Sequence, residues 1–245
     1  MTISERQEMI LEFLQEDPDI TVPEIANRLY VSEPTVRRDF TELESKGLII
    51  KVYGGAILPE KADRSIPFVF RENEKSAAKT AMGRQAAQKI SDGMVVLLDA
   101  STSVFHLVPF LAEKKDLIVV TSGAKTSLAL AEAGLCTYCT GGNMLIHSYS
   151  YVGAQAERFL SDINADVVFF SCRGFSDDGM ISDPSVEEVN LRRVMMEHSR
   201  KKYLLCDSSK FGKSYFYNLC HIDELDGVIS DRPPKLNEGK AHDRS

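Results

Sequence analysis

The sequence predicts an α/β chain of two unequal domains: a small helical domain closed by a β-hairpin, then a larger domain on a mostly parallel sheet. Three observations predict it. The 245 residues exceed one average domain and suit two. Up to residue 58, apolar residues recur at helical spacing in three short blocks and then switch to strand spacing. From about residue 76, continuous apolar runs alternate with helical stretches, the pattern of parallel strands covered on both faces.

Residues 5–16 place Met9, Ile10, Phe13 and Leu14 on one helical face, and Pro18 ends that helix. Thr21 is placed to cap a second helix, in which Val22, Ile25, Ala26 and Leu29 form an apolar stripe. The turn Tyr30-Val31-Ser32 follows. Ser32 caps a third helix that tolerates Pro34 in its first turn, turns Val36, Phe40 and Leu43 inward, and stops at Gly47. Residues 48–58 read as a hairpin turning at Gly54-Gly55. This is the layout of a winged helix-turn-helix over 1–58. The charged segment 59–75, with Pro59 and Pro67, suits a linker.

In the second domain, 76–231, apolar runs fall at 94–98, 117–120, 167–170, 203–206 and 228–229. Helical stretches are expected at 76–91, 103–113, 125–133, 154–162 and 185–199. The tail 232–245 is polar, holds two prolines and is expected to be disordered.

The composition, 43% hydrophobic and 27% charged, is that of a globular protein. No run approaches the ~20 apolar residues that span a bilayer, and no signal peptide is read at the start, which points to the cytoplasm and to no membrane partner. Cys136 and Cys139 have C-x-x-C spacing, but neither a second pair nor a nearby His completes a zinc site. The five cysteines read as reduced thiols in or near the core, and neither metal nor cofactor is expected.

The net charge of −7 argues against nucleic acid, and residues 1–60 carry six basic against twelve acidic side chains. A DNA-reading role must therefore rest on placement. In a helix-turn-helix the second helix of the pair enters the major groove. With the apolar residues of 32–43 turned inward, Thr35, Arg37 and Arg38 fall on the sides or outer face. Arginine can grip a guanine edge with both arms, and threonine can meet a thymine methyl or a phosphate. Ser32 at the helix start, Lys46 at its end, and Lys51 and Tyr53 on the wing are candidates for the phosphate backbone. The competing reading of Arg37-Arg38 is a solvated face paired with Asp39, Glu42 or Glu44.

Two corners of the second domain invite an anion. Asp99-Ala100-Ser101-Thr102-Ser103 follows a buried strand and opens a helix, so hydroxyls and free N–H groups converge there. Thr121-Ser122-Gly123, ahead of Lys125, repeats the arrangement. Open parallel sheets bind ligands at the carboxyl ends of their strands, where both corners fall. Such residues also cap helices for purely structural reasons.

Arg6, Ile10, the run Val31-Ser32-x-x-Thr35-Val36-Arg37-Arg38-Asp39-Phe40-x-x-Leu43-x-x-x-Gly47 and the wing Tyr53-Gly54-Gly55-Ala56 resemble the DeoR family of bacterial repressors. The resemblance continues to about residue 231. It implies double-stranded operator DNA as partner, a homo-oligomer (dimer or tetramer), and a second domain of the ribose-5-phosphate isomerase and CoA-transferase type that binds a phosphorylated sugar. Gly141-Gly142-Asn143, Gly153, the pair Glu187 and Glu188, and Asp207-Ser208-Ser209-Lys210-Phe211-Gly212 match the family. On that match Lys210 supplies the cation facing the ligand, and Glu187, Gly141 and Gly142 join Asp99, Ser101, Thr102, Ser103, Thr121 and Ser122 in the effector site. Arg173 stands where the family carries Ala or Gly, implying an unusual or more highly charged effector. The alternative is a sugar-phosphate isomerase fused to a DNA-reading domain, which needs a carboxylate base next to a cation, roles in which Asp99, Glu187 and Lys210 can be cast.

Overall fold

The computed structural model describes residues 3–17, 19–45, 48–58 and 68–236. It divides between Glu74 and Lys75 into two compact units.

In the first unit, α1 (Ile3–Glu16), α2 (Val22–Leu29) and α3 (Glu33–Ser45) precede a hairpin of β1 (Ile50–Val52) and β2 (Gly55–Ile57). Ile10, Leu14, Ile25, Val36, Phe40 and Leu43 meet in one buried core. Thr21 caps α2 through a complete capping box: its hydroxyl accepts the Glu24 N–H, and the Glu24 carboxylate accepts the Thr21 N–H. The same corner is tied to the wing, because the Val22 N–H donates to the Gly54 carbonyl at 3.0 Å and Thr21 bridges Gly55.

Two details differ from expectation. The hairpin turns at Tyr53-Gly54, with Gly54 at φ +85° and Gly55 already paired to Val52 as the first residue of β2. Only Gly54 needs the left-handed backbone, so one glycine makes the turn and the other enters the sheet. The segment read as a linker ends in a helix, α4 (Phe68–Asn73), whose Phe68 is fully buried. The expected proline and glycine stops at 18 and 47, and both linker prolines, lie outside the described residues.

The second unit is built on six parallel strands in the order β13-β11-β8-β3-β4-β5. They are β3 (Val95–Leu98), β4 (Ile118–Thr121), β5 (Cys136–Cys139), β8 (Ala165–Phe170), β11 (Ser199–Leu205) and β13 (Gly227–Ile229). Alternate residues of the central strands face opposite sides. Leu97, Val168, Phe170 and Leu204 pack with α8 (Ala154–Ser161) and α9 (Val186–Glu197). Val96, Leu98, Val167, Phe169 and Leu205 pack with α5 (Ser76–Ala87) and with Leu130 of α7 (Ala124–Glu132). A sheet covered on both faces needs strands apolar on both faces, which is why these runs are unbroken.

The expected helix over 103–113 is instead a four-residue helix, α6 (Thr102–Phe105), followed by a separate 3₁₀ turn at Val108–Phe110. Pro109 sits in that turn, and a proline there disfavours continuous α-helix before it. Two small antiparallel elements were absent from the sequence reading: the hairpin β6 (Asn143–Leu145) with β7 (Ser150–Val152), and a sheet of β9 (Gly174–Phe175), β10 (Met180–Asp183) and β12 (Tyr217–His221). Cys136 is exposed and Cys139 half-buried on the edge strand β5, contrary to the expected core placement, whereas Cys172, Cys206 and Cys220 are buried. Of the tail, residues 237–245 lie outside the described residues. Among the described residues no helix is long and apolar enough to cross a membrane.

Candidate functional site

In the first unit, α3 presents Arg37 and Arg38 to solvent. Arg37 reaches Glu33 at 3.4 Å with both side chains about half exposed, an arrangement worth little and readily exchanged for a phosphate. Arg38 forms no ion pair among the described residues. Asp39, which the competing reading pairs with these arginines, is buried and belongs to Arg6: Nε and a terminal nitrogen of Arg6 donate to its two oxygens at 2.5 and 2.8 Å. The Thr-x-Arg-Arg-Asp run thus splits its charges, two cations outward and one carboxylate inward as a brace between α1 and α3.

Ser32 and Thr35 share a hydroxyl–hydroxyl bond of 2.9 Å at the start of α3, with Ser32 exposed and Thr35 half-buried. Tyr53 stands exposed on the wing. Lys51 is less available than expected, because β1 runs beside the end of α3. Its ammonium lies 2.7 Å from Glu44, and its N–H donates to the same carboxylate. Lys46 falls outside the described residues. Of the acids that counted against DNA, Asp39, Glu42 and Glu44 accept from Arg6, Gln7 and Lys51 in turn.

In the second unit the sheet order reverses direction between β3 and β8: the chain grows outward from β3 through β4 and β5 on one side, and from β8 through β11 and β13 on the other. A crevice opens where such a reversal occurs, at the carboxyl ends of the strands. Asp99 follows β3 there. Its carboxylate accepts the Ser101 N–H at 2.9 Å, the Ser171 N–H at 3.0 Å and Arg192 Nε at 2.9 Å, so it locks the loops after β3 and β8 together. Arg192, from α9, also reaches Asp183 at 2.9 Å and Glu188 at 3.2 Å. Burial opposes its charge, but the three carboxylates outweigh that and hold it more firmly protonated. Burial pushes the Asp183 carboxyl above its ordinary value despite Arg192.

Lys210 arrives from the loop after β11. Its ammonium donates to Ser171 Oγ at 2.8 Å and Ser103 Oγ at 3.3 Å, and lies 3.6 Å from Asp207. Burial disfavours the Asp207 charge, but Lys210 and the hydrogen bonds from Ser209 prevail and keep its carboxyl below the ordinary range. Loops after β3, β8 and β11 thereby converge on one cation held by two hydroxyls.

The remaining expected residues divide. Ser101 Oγ accepts the Val104 N–H and caps α6, and Thr102 is buried. Thr121 Oγ1 accepts the Gly123 N–H, and the Ser122 carbonyl accepts the Tyr151 N–H at 2.7 Å, so this second corner anchors the β6–β7 hairpin. Gly123 packs closely there: a Cβ would lie 2.8 Å from Thr126 Oγ1 and 3.1 Å from Ala100 Cα. Gly142, at φ +111°, passes so close to the Val152 carbonyl that a Cβ would sit 2.6 Å from its oxygen, and Gly141 precedes it at φ +63°. Glu187 is exposed and accepts from the Ser185 hydroxyl; Glu188 is the acid that turns to Arg192.

Sequence reasoning missed Ser171, Asp183 and Arg192. It also missed Thr126 and Thr140, whose buried hydroxyls near the second corner lack a hydrogen-bond partner among the described residues. Only the position of Ser171, just past an apolar run, could have pointed to it. Neither carboxylate candidate for the base of the isomerase reading is free beside Lys210: Asp99 is engaged by three donors and Glu187 lies at the surface. Among the described residues no cluster of His, Cys, Asp and Glu could hold a metal ion. Arg173 is half-buried beside Asp183, whose charge it favours.

Comparison with known proteins agrees with this division of labour. Residues 6–62 match the model of the DeoR-like helix-turn-helix domain, and 74–232 that of the DeoR C terminal sensor domain. The HTH-type transcriptional repressor GlcR of Bacillus subtilis is 34% identical over 232 residues, covering 94% of this chain and 89% of that protein. A putative aga operon transcriptional repressor of Escherichia coli O157:H7 is 31% identical, covering 93% and 86%. A solved D-ribose-5-phosphate isomerase in complex with phospho-erythronic acid aligns with a TM-score of 0.42 at 14% identity, over 54% of this chain and 52% of that one, too distant to bear on function.

Proposed function

Because the chain belongs to the DeoR family of transcriptional regulators, we propose that it represses a sugar or carbohydrate catabolism operon and that a phosphorylated sugar relieves the repression. The first domain holds double-stranded operator DNA, with α3 in the major groove and the wing on the backbone. The second domain takes the effector at the carboxyl ends of β3, β8 and β11 and pairs into a homo-oligomer, dimer or tetramer, that spaces the reading heads. The protein works in the cytoplasm.

One observation carries the effector reading: Lys210 is suspended by the Ser103 and Ser171 hydroxyls at the reversal point of the sheet. A cation held by two neutral hydroxyl acceptors and one carboxylate keeps the capacity to meet an incoming phosphate, and the hydroxyls are placed to join it. The names of the relatives, repressors of an aga operon and GlcR, support the sugar assignment. Effector binding lowers operator affinity through its different affinity for two arrangements of the oligomer, a coupling of about 1–3 kcal/mol.

The test is thermal unfolding of the purified protein against a panel of sugar phosphates, with the unphosphorylated sugars as controls. A ligand binding only the native state at ~100 times its dissociation constant adds about 2.7 kcal/mol, well above detection. Stabilisation by one phosphorylated sugar, accompanied by release from operator DNA, is the expected outcome. Stabilisation by a free sugar alone would refute the phosphate site.

A further inference from the structure

The turn between α2 and α3 holds a residue in two unfavourable states at once. Tyr30 has φ 54° and ψ 41°, the left-handed conformation that glycine or asparagine normally occupies. The helix stop demands it: the Tyr30 N–H returns to the Asn27 carbonyl and the Val31 N–H to the Ala26 carbonyl at 3.0 Å, which ends α2 and aims the chain into α3. Tyr30 is also 96% exposed, the most exposed large hydrophobic side chain among the described residues, and its ring and hydroxyl meet no partner there. Among the described residues nothing packs against the ring or bonds its hydroxyl. A residue set against backbone preference and left wholly in solvent points to a role outside the fold.

The position says what that role is. Tyr30 comes two residues before Ser32 and five before Thr35, at the mouth of the helix that enters the groove. When the start of a reading helix enters a major groove, the turn leading into it lies at the groove's edge, where the phosphates run. We propose that Tyr30 is a further DNA-contacting residue, its phenolic hydroxyl donating to a backbone phosphate oxygen beside the half-site. The contact is neutral on the protein side. It therefore adds affinity to any sequence without releasing a counterion, in contrast to Arg37 and Arg38.

This rests on α3 being the reading helix, and the experiment separates the two. Wild type, Tyr30→Phe, Tyr30→Asn and Arg38→Ala are titrated against a duplex selected from a randomised pool by the wild-type protein, and against a random-sequence duplex, from low to moderate salt. Tyr30→Phe keeps the ring and the backbone requirement, and Tyr30→Asn suits the left-handed turn, so melting temperatures should not fall for either. Both should bind both duplexes roughly tenfold more weakly, with an unchanged slope of affinity against salt. Arg38→Ala should instead weaken binding to the selected duplex far more than to the random one, as loss of a base-edge contact does. Tyr30→Phe binding as tightly as wild type, or a Tyr30→Phe loss that changes the slope, overturns the proposal. Arg38→Ala binding normally at every salt concentration overturns the placement of α3 itself, and the Tyr30 proposal with it.

Discussion

Asp39 and Asp99 are both buried carboxylates that spend their charge on an arginine from another element, Arg6 in one domain and Arg192 in the other. Removing one partner of such a pair is costly because the other is stranded in a poor solvent for charge. Arg6→Met should lower stability by roughly 3 kcal/mol, seen as an earlier denaturation midpoint; an unchanged midpoint would show that Asp39 finds water instead. Lys210 differs, being held but not consumed. Lys210→Ala should leave operator affinity within about twofold of wild type, since no base contact depends on it, and abolish the response to the effector; a normal response would remove Lys210 from the site. Legibility at this scale followed sequence distance. Lys210 could be singled out because it sits in a contiguous motif. Arg192 lies 93 residues from Asp99, with nothing in its own helix to separate it from the neighbouring surface arginine. The choice between Glu187 and Glu188 turned on helical phase, which the acidic pair alone could not fix.

Elements with a strong period were readable and those of only a few residues were not. The three reading-head helices and the buried parallel strands each repeat one pattern long enough to identify. Strands β6, β7 and β9 span two or three residues and have no period to read. Glycines mark what the pattern missed. Gly142 matters less for its freedom than for what lies against it, the Val152 carbonyl at the start of the β7–α8 connection. Gly142→Ala should destabilise the second domain by about 1–3 kcal/mol and loosen the hairpin that Ser122 anchors. Amide exchange at Tyr151 and Val152 is the measurement; unchanged protection there would show that the backbone yields without loss.

For the whole molecule, both domains were legible as types, but the meeting of loops after β3, β8 and β11 was not, because strand order is invisible to a one-dimensional pattern. The consequence of that order lies in time. The reading head closes its core within its first 58 residues. Strand β3 must wait for β8, whose partner residues lie 71 positions further along the chain at Val96 and Val167, and the crevice waits again for Lys210. Local contacts form early and distant ones late, so after a jump from denaturant, amides of α2 and α3 should gain protection before those of β3 and β8; simultaneous protection would contradict this. During synthesis at ~5–20 residues per second, a nascent chain carries a finished reading head for roughly ten seconds or more before its sensor exists. For that interval the DNA-reading domain is folded and the domain proposed to take the effector is not.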